Sequence, residues 1–90
     1  MTATKLGAMP WAQATDWASF EAFAKRVDEL GYDSLWCWDH LYAIFGDPYQ
    51  PIFEGWSSLV AAAGMTERIS LGLLVGANTF RNPGLQAKLA

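Results

Sequence analysis

The chain has one histidine, His40, and it directly follows an aspartate, Asp39. Imidazole is the side chain that exchanges a proton near neutral pH, and a neighbouring carboxylate can orient or charge it. The pair stands just after the apolar run Leu35-Trp36-Cys37-Trp38, so it sits where a strand would end. At such a place an Asp-His pair either moves a proton or fixes a loop by a hydrogen bond, and the residues alone leave both readings open. A metal site is not expected, because no second histidine or cysteine stands at ligand spacing. No serine lies in a nucleophile-elbow context. A second polar cluster, Gly76-Ala77-Asn78-Thr79-Phe80-Arg81-Asn82-Pro83, joins another apolar run to a helix start. Its amides, with Asn78 and Thr79, could hold a ring carbonyl or a phosphate. The competing reading is plain helix capping by Asn82 with Arg81 on the surface. Trp11 and Trp38 also fall at expected strand ends, where indoles could wall a flat ring or substrate pocket as well as pack.

These groups need elements to position them. Lys5 to Met9 is short, apolar and stopped by Pro10, which predicts a first strand. From Asp16 to Leu30 the apolar residues Trp17, Phe20, Phe23, Ala24, Val27 and Leu30 recur at three- and four-residue steps, the pattern of an amphipathic helix. Thr15 is the expected cap, Asp16 a favourable first-turn acid, and Gly31 the left-handed terminator. Ser34 to Trp38 predicts a strand covered on both faces, without period-two alternation. The stretch from His40 to Phe53, broken by Gly46, Pro48 and Pro51, is too long for a simple connector and reads as a functional loop. A second helix is predicted from about Glu54 to Thr66, with Trp56, Leu59, Val60 and Ala63 on one face. Ile69 to Val75 is the third strand, and Asn82 with Pro83 opens a third helix.

Strand, helix, strand, helix, strand at these spacings means two consecutive right-handed βαβ units and a parallel α/β sheet. In such folds ligands bind at the carboxyl ends of the strands, which is where Trp11, Asp39, His40, Asn78 and Thr79 fall. The turns at the other ends, Gly31-Tyr32-Asp33 and Glu67-Arg68, read as structural punctuation. No GxGxxG motif follows the first strand, which argues against a dinucleotide-binding half. The 90 residues are 52% hydrophobic and 14% aromatic, with five tryptophans. A chain of this size buries only roughly 60–65% of its unfolded surface, so these side chains suggest either a sticky surface or a larger parent domain. The third helix would be cut within two turns, and the last residue is therefore read as a truncation point. A net charge of −3 and six scattered Lys and Arg provide no basic stripe for nucleic acid. The amino-terminal residues lack a signal-peptide pattern and no apolar run reaches membrane-spanning length, so a soluble, cytoplasmic protein without membrane contact is expected. Cys37, the one cysteine, precludes an internal disulfide and reads as a buried structural thiol.

The segments GYDSLWCWDH, EGWSSLVAAAGMTERISLGLLV and NTFRNPGLQAKLA, in that order, closely resemble the N-terminal third of luciferase-like monooxygenases, in particular the branch that uses coenzyme F420. The resemblance covers essentially the whole chain. It implies a TIM (β/α)8 barrel of which this chain supplies the first βαβαβ and the start of the third helix. It also implies an oxidoreductase in which a flavin or deazaflavin ring lies at the carboxyl ends of the strands. By the same resemblance His40 is the catalytic proton donor or acceptor and Asp39 holds cofactor or histidine. Several members carry a non-prolyl cis peptide at the end of the third strand, which falls near Leu74-Val75. Leu74, Val75, Asn78 and Thr79 would then line the cofactor pocket, with F420 favoured over FMN. The partners expected are a small organic substrate and, for the full-length protein, a second copy of itself; the fragment alone is expected to be inactive. The alternative from another class is a small α/β module that associates with proteins through exposed aromatic residues.

Overall fold

A computed structural model describes residues 3–90; Met1 and Thr2, the start of the stretch read above for a signal, lie outside it. The elements run β1 (Gly7–Ala8), α1 (Trp17–Glu29), β2 (Ser34–Cys37), α2 (Gly55–Met65), β3 (Ser70–Leu73) and α3 (Pro83–Leu89). The three strands form one parallel sheet in the order β1-β2-β3. That order suits the opening of a barrel and equally one half of a doubly wound sheet; it excludes a 2-1-3 arrangement. The strands are shorter than the apolar runs suggested, because only Gly7 and Ala8 of the first run find partners on β2. Among the described residues no helix is long and apolar enough to cross a membrane.

The core lies between the sheet and the helices, where Phe20, Ala24 and Val27 of α1 meet Leu35 and Cys37 of β2, Leu59 and Ala62 of α2, and Ile69. Trp17, Phe23 and Leu30, expected on the same buried stripe, are 39%, 36% and 55% exposed. The buried stripe of α1 is narrower than its apolar spacing suggests; Trp17 lies at its margin, packed on Phe20 and Phe53. The buried face of α2 is Gly55, Ser58, Leu59 and Ala62, whereas Val60 and Ala63 point outward. Small residues therefore face the core of α2, and they let its backbone approach β2 closely. Strand β2 does alternate: Leu35 and Cys37 are buried beneath the helices, while Ser34 and Trp36 face the other side. There the Trp36 ring covers the glycines of both neighbours, since a Cβ at Gly72 would lie 2.6 Å from its Cζ3 and one at Gly7 3.0 Å from its Nε1. The run only looks continuous because the open-face positions are also large and apolar.

Local signals decide the helix ends. Asp16, not Thr15, caps α1: its backbone is extended and its carboxylate accepts the Ser19 amide at 2.7 Å. An ionised cap at this point also meets the positive end of the helix dipole. Gly31 ends α1 with φ +87°, as a left-handed terminator should. Asn82 caps α3, accepting from Gly84 and Leu85, with Pro83 first in the helix. At the amino ends of the strands, Asp28 accepts the backbone amides of Glu67, Arg68 and Ile69 at 2.8–3.1 Å. Asp33 accepts that of Leu6 at 2.7 Å. Those turns are structural ties.

Candidate functional site at the carboxyl ends of the strands

Parallel pairing puts the segments that follow β1, β2 and β3 on one edge of the sheet. The structure gathers two groupings there, one expected and one not. Trp11 and Trp38, 27 residues apart in sequence, meet edge to face with ring centroids 5.1 Å apart. Phe45, from the long β2–α2 loop, joins Trp11 at 5.2 Å and Trp38 at 6.5 Å. The Trp38 indole donates to the Met9 sulfur at 2.6 Å, which fixes its plane across the sheet edge. His40 is exposed and stands 5.9 Å from the Trp38 ring, nearly perpendicular to it.

The second grouping centres on Asp39, which is 3% exposed. It does not orient His40 through a hydrogen bond. Its carboxylate instead accepts a two-pronged bond from Arg81, at 2.7 and 2.6 Å, and the Ala77 backbone amide at 2.7 Å. Arg81 is accordingly not a surface residue; its side chain is 10% exposed and also donates to Glu54. Glu54 in turn caps α2, accepting the amides of Trp56 and Ser57. Arg81 first, then the Ala77 amide, hold the Asp39 carboxyl below its usual range against the opposing effect of burial. Burial also works against the charge on Glu54, but the bonds from Ser57, Arg81 and Trp56 prevail and its carboxyl is lowered too. The physical reason that Asp39 turned away from His40 is Coulombic: a guanidinium fork is a stronger partner for a buried carboxylate than a neighbouring imidazole.

Leu74 and Val75, joined by a cis peptide bond, are 51% and 73% exposed and follow β3 directly. Asn78 and Thr79 are exposed. Of the amides in this loop, that of Ala77 is already engaged by Asp39. Among the described residues no three His, Cys, Asp or Glu side chains cluster as metal ligands. Cys37 is buried in the core and its thiol is pushed up to about 12 by desolvation, so it takes no part here.

Gln13 is a residue of this edge that the sequence does not single out. It is 2% exposed, and its side-chain oxygen accepts the Ile44 amide at 2.8 Å while its nitrogen donates to the Phe45 carbonyl at 2.9 Å. With the bridge between Gln13 and Ile52 and the bond from the Phe53 amide to the Ala12 carbonyl, it pins the long loop to the end of β1. A lone glutamine in the loop after β1 carries no sequence signal for that role. Nothing in the sequence ties Arg81 to Asp39; beside the Asn82 cap it reads as a surface residue.

A sequence model described as luciferase-like monooxygenase matches residues 1–90, the whole chain. The chain belongs to that family. The membership makes it part of an oxidoreductase family and agrees with the parallel α/β layout. No curated protein matches it.

Proposed function

We propose that this chain forms the ring-binding edge of a luciferase-like oxidoreductase that uses coenzyme F420, as the opening βαβαβ of a (β/α)8 barrel. The observation that carries the reading is the joint placement of an exposed imidazole, an aromatic wall and an exposed apolar strand end on one edge of the sheet. The residues present fit a flat tricyclic ring. Leu74 and Val75 offer an apolar floor, Trp38 and Trp11 a side wall, and Asn78 and Thr79 exposed polar groups for a heterocyclic edge. They fit a phosphate tail less well, because the terminal nitrogens of Arg81 are taken by Asp39 and Glu54; the tail is assigned to segments outside this edge. When bound, the deazaflavin would supply hydride exchange with a small organic substrate.

In this reading His40 gives or takes the proton that accompanies hydride transfer, as an exposed imidazole beside the wall can do. Trp11, Trp38 and Phe45 exclude water and orient the substrate by stacking. Asp39 acts through the loops it fixes, so the expectation of direct cofactor contact becomes one of positioning. FMN is the alternative ring, since the floor and wall offer nothing that distinguishes the two; the ordered sequence motifs favour F420. Titration with F420 and with FMN, followed by tryptophan fluorescence and ligand absorbance, tests the choice. In the full-length protein, affinity for FMN without affinity for F420 overturns the cofactor, and failure of both overturns the oxidoreductase reading in favour of a protein-association module. In the active protein, His40→Ala should lower turnover by roughly 10²–10⁴ with cofactor affinity nearly unchanged. Wild-type turnover across pH 5–9 in that variant would remove His40 from the chemistry.

A further inference from the structure

Three segments far apart in sequence meet at one guanidinium. Asp39 stands just past β2, Glu54 caps α2, and Arg81 precedes α3. The Asp39 side chain is 1% exposed and that of Arg81 10%. Asp39 also holds the Ala77 amide, and Ala77 leads into Asn78 and Thr79. Asp39 is followed directly in sequence by His40. The α2 backbone closes on the same point: a Cβ at Gly55 would lie 2.6 Å from the Trp38 carbonyl oxygen and 2.9 Å from Asp39 Oδ1. A buried ion pair adds little net stability compared with apolar packing, so stability is a poor account of this one. What it does supply is geometry, because a planar fork bonded to a buried carboxylate fixes both distance and orientation.

We infer that Arg81 is a positioning residue: through Asp39 it sets the His40 segment against the Ala77–Thr79 segment, with Glu54 holding the guanidinium from the side. What the two segments serve rests on the proposed function, whereas the coupling between them does not. The rival role for Arg81 is capture of an anion, such as a phosphate. A lysine in its place would keep the charge but could not span both Asp39 oxygens in one plane.

The test is amide exchange and NMR on the isotope-labelled chain. In Arg81→Met the Ala77 amide should exchange roughly 30-fold faster, the scale of a lost charge-assisted hydrogen bond. The His40 ring resonances should shift, while the Leu35 and Cys37 amides of β2 stay within about twofold. Arg81→Lys should fail to restore Ala77 protection, and Glu54→Gln should change it less than Arg81→Met does. Unchanged Ala77 exchange in Arg81→Met, full rescue by lysine, or equal acceleration at Leu35 and Cys37 each overturns the inference. So does a shift of the Arg81 side-chain resonances on adding inorganic phosphate to the wild type. If Arg81→Met does not fold, Arg81→Lys carries the same comparison. Absence of F420 or FMN binding would defeat the proposed function and leave the amide result standing.

Discussion

Replacing Gln13 by alanine should free the aromatic loop without unfolding the helices. The side chain makes three bonds to that loop, and they are unequal. The Phe45 carbonyl keeps a second donor in Gln50, and the bond from the Phe45 amide is long, at 3.4 Å. The loss therefore falls on the Ile44 amide, which donates at 2.8 Å. A fully buried donor left without a partner costs about 1–3 kcal/mol, and the Ile44 amide is part-buried. This one can recover some of that by letting the loop open to water, so about 2 kcal/mol is the expected scale. The loop opens instead of the whole chain because its other ties to the rest of the described residues are few: the bridge between Gln13 and Ile52, the Phe53 amide on the Ala12 carbonyl and the packing of Phe45 on Trp11 and Trp38. At about 1.4 kcal/mol per tenfold, amide exchange at Ile44 should rise roughly 30-fold, with Val27 in α1 unchanged. Tryptophan emission should shift to the red as Phe45 leaves Trp11 and Trp38. Ile44 exchange within twofold of wild type, or an equal rise at Val27, would refute the assignment of Gln13 as the pin of this loop.

The lowered carboxyl of Asp39 contributes stability that is complete above its ordinary value of 3.8 and is lost as pH falls through the lowered one. Asp39→Asn should therefore flatten the acid limb of a stability-against-pH curve, measured by denaturant melts, and an unchanged limb would show the carboxylate to be uncoupled from folding. Cys37 runs the other way. Its thiol stays protonated in the fold up to about 12 but ionises near 9.0 when unfolded, so stability should be level below pH 9 and fall between about 9 and 12. A disulfide reagent at pH 8 should label Cys37 only at the rate of unfolding, and rapid labelling would contradict its burial. Gly55→Ala places a Cβ 2.6 Å from a backbone carbonyl oxygen. Overpacking of about 1–3 kcal/mol should outweigh the roughly 0.4–1 kcal/mol that alanine gains through the unfolded chain. The denaturant midpoint should fall, and a raised midpoint would mean that α2 can shift away from β2 freely.

Periodicity along the chain was enough to predict the order of elements and the parallel sheet. Hydrophobic spacing and caps are local properties, so Phe20, Ala24 and Val27 announce the core face of α1, and Gly31, Asn82 and Pro83 announce helix ends. The ordered motifs from GYDSLWCWDH onward likewise point to the family. What sequence could not decide is which polar group answers which, because that depends on the crossing of loops 27 to 42 residues apart. Adjacency suggested that Asp39 serves His40, yet parallel pairing carries Arg81 and the Ala77 amide to the same buried carboxylate, and the stronger electrostatic partner wins. Likewise Val60 looked like a core residue by its type, but the small side chains of α2 face the sheet, since only they let helix and strand approach closely at Gly55. Residue types mark where an end of the sheet can do chemistry; the tertiary fold decides which of its charged groups remain free to do it.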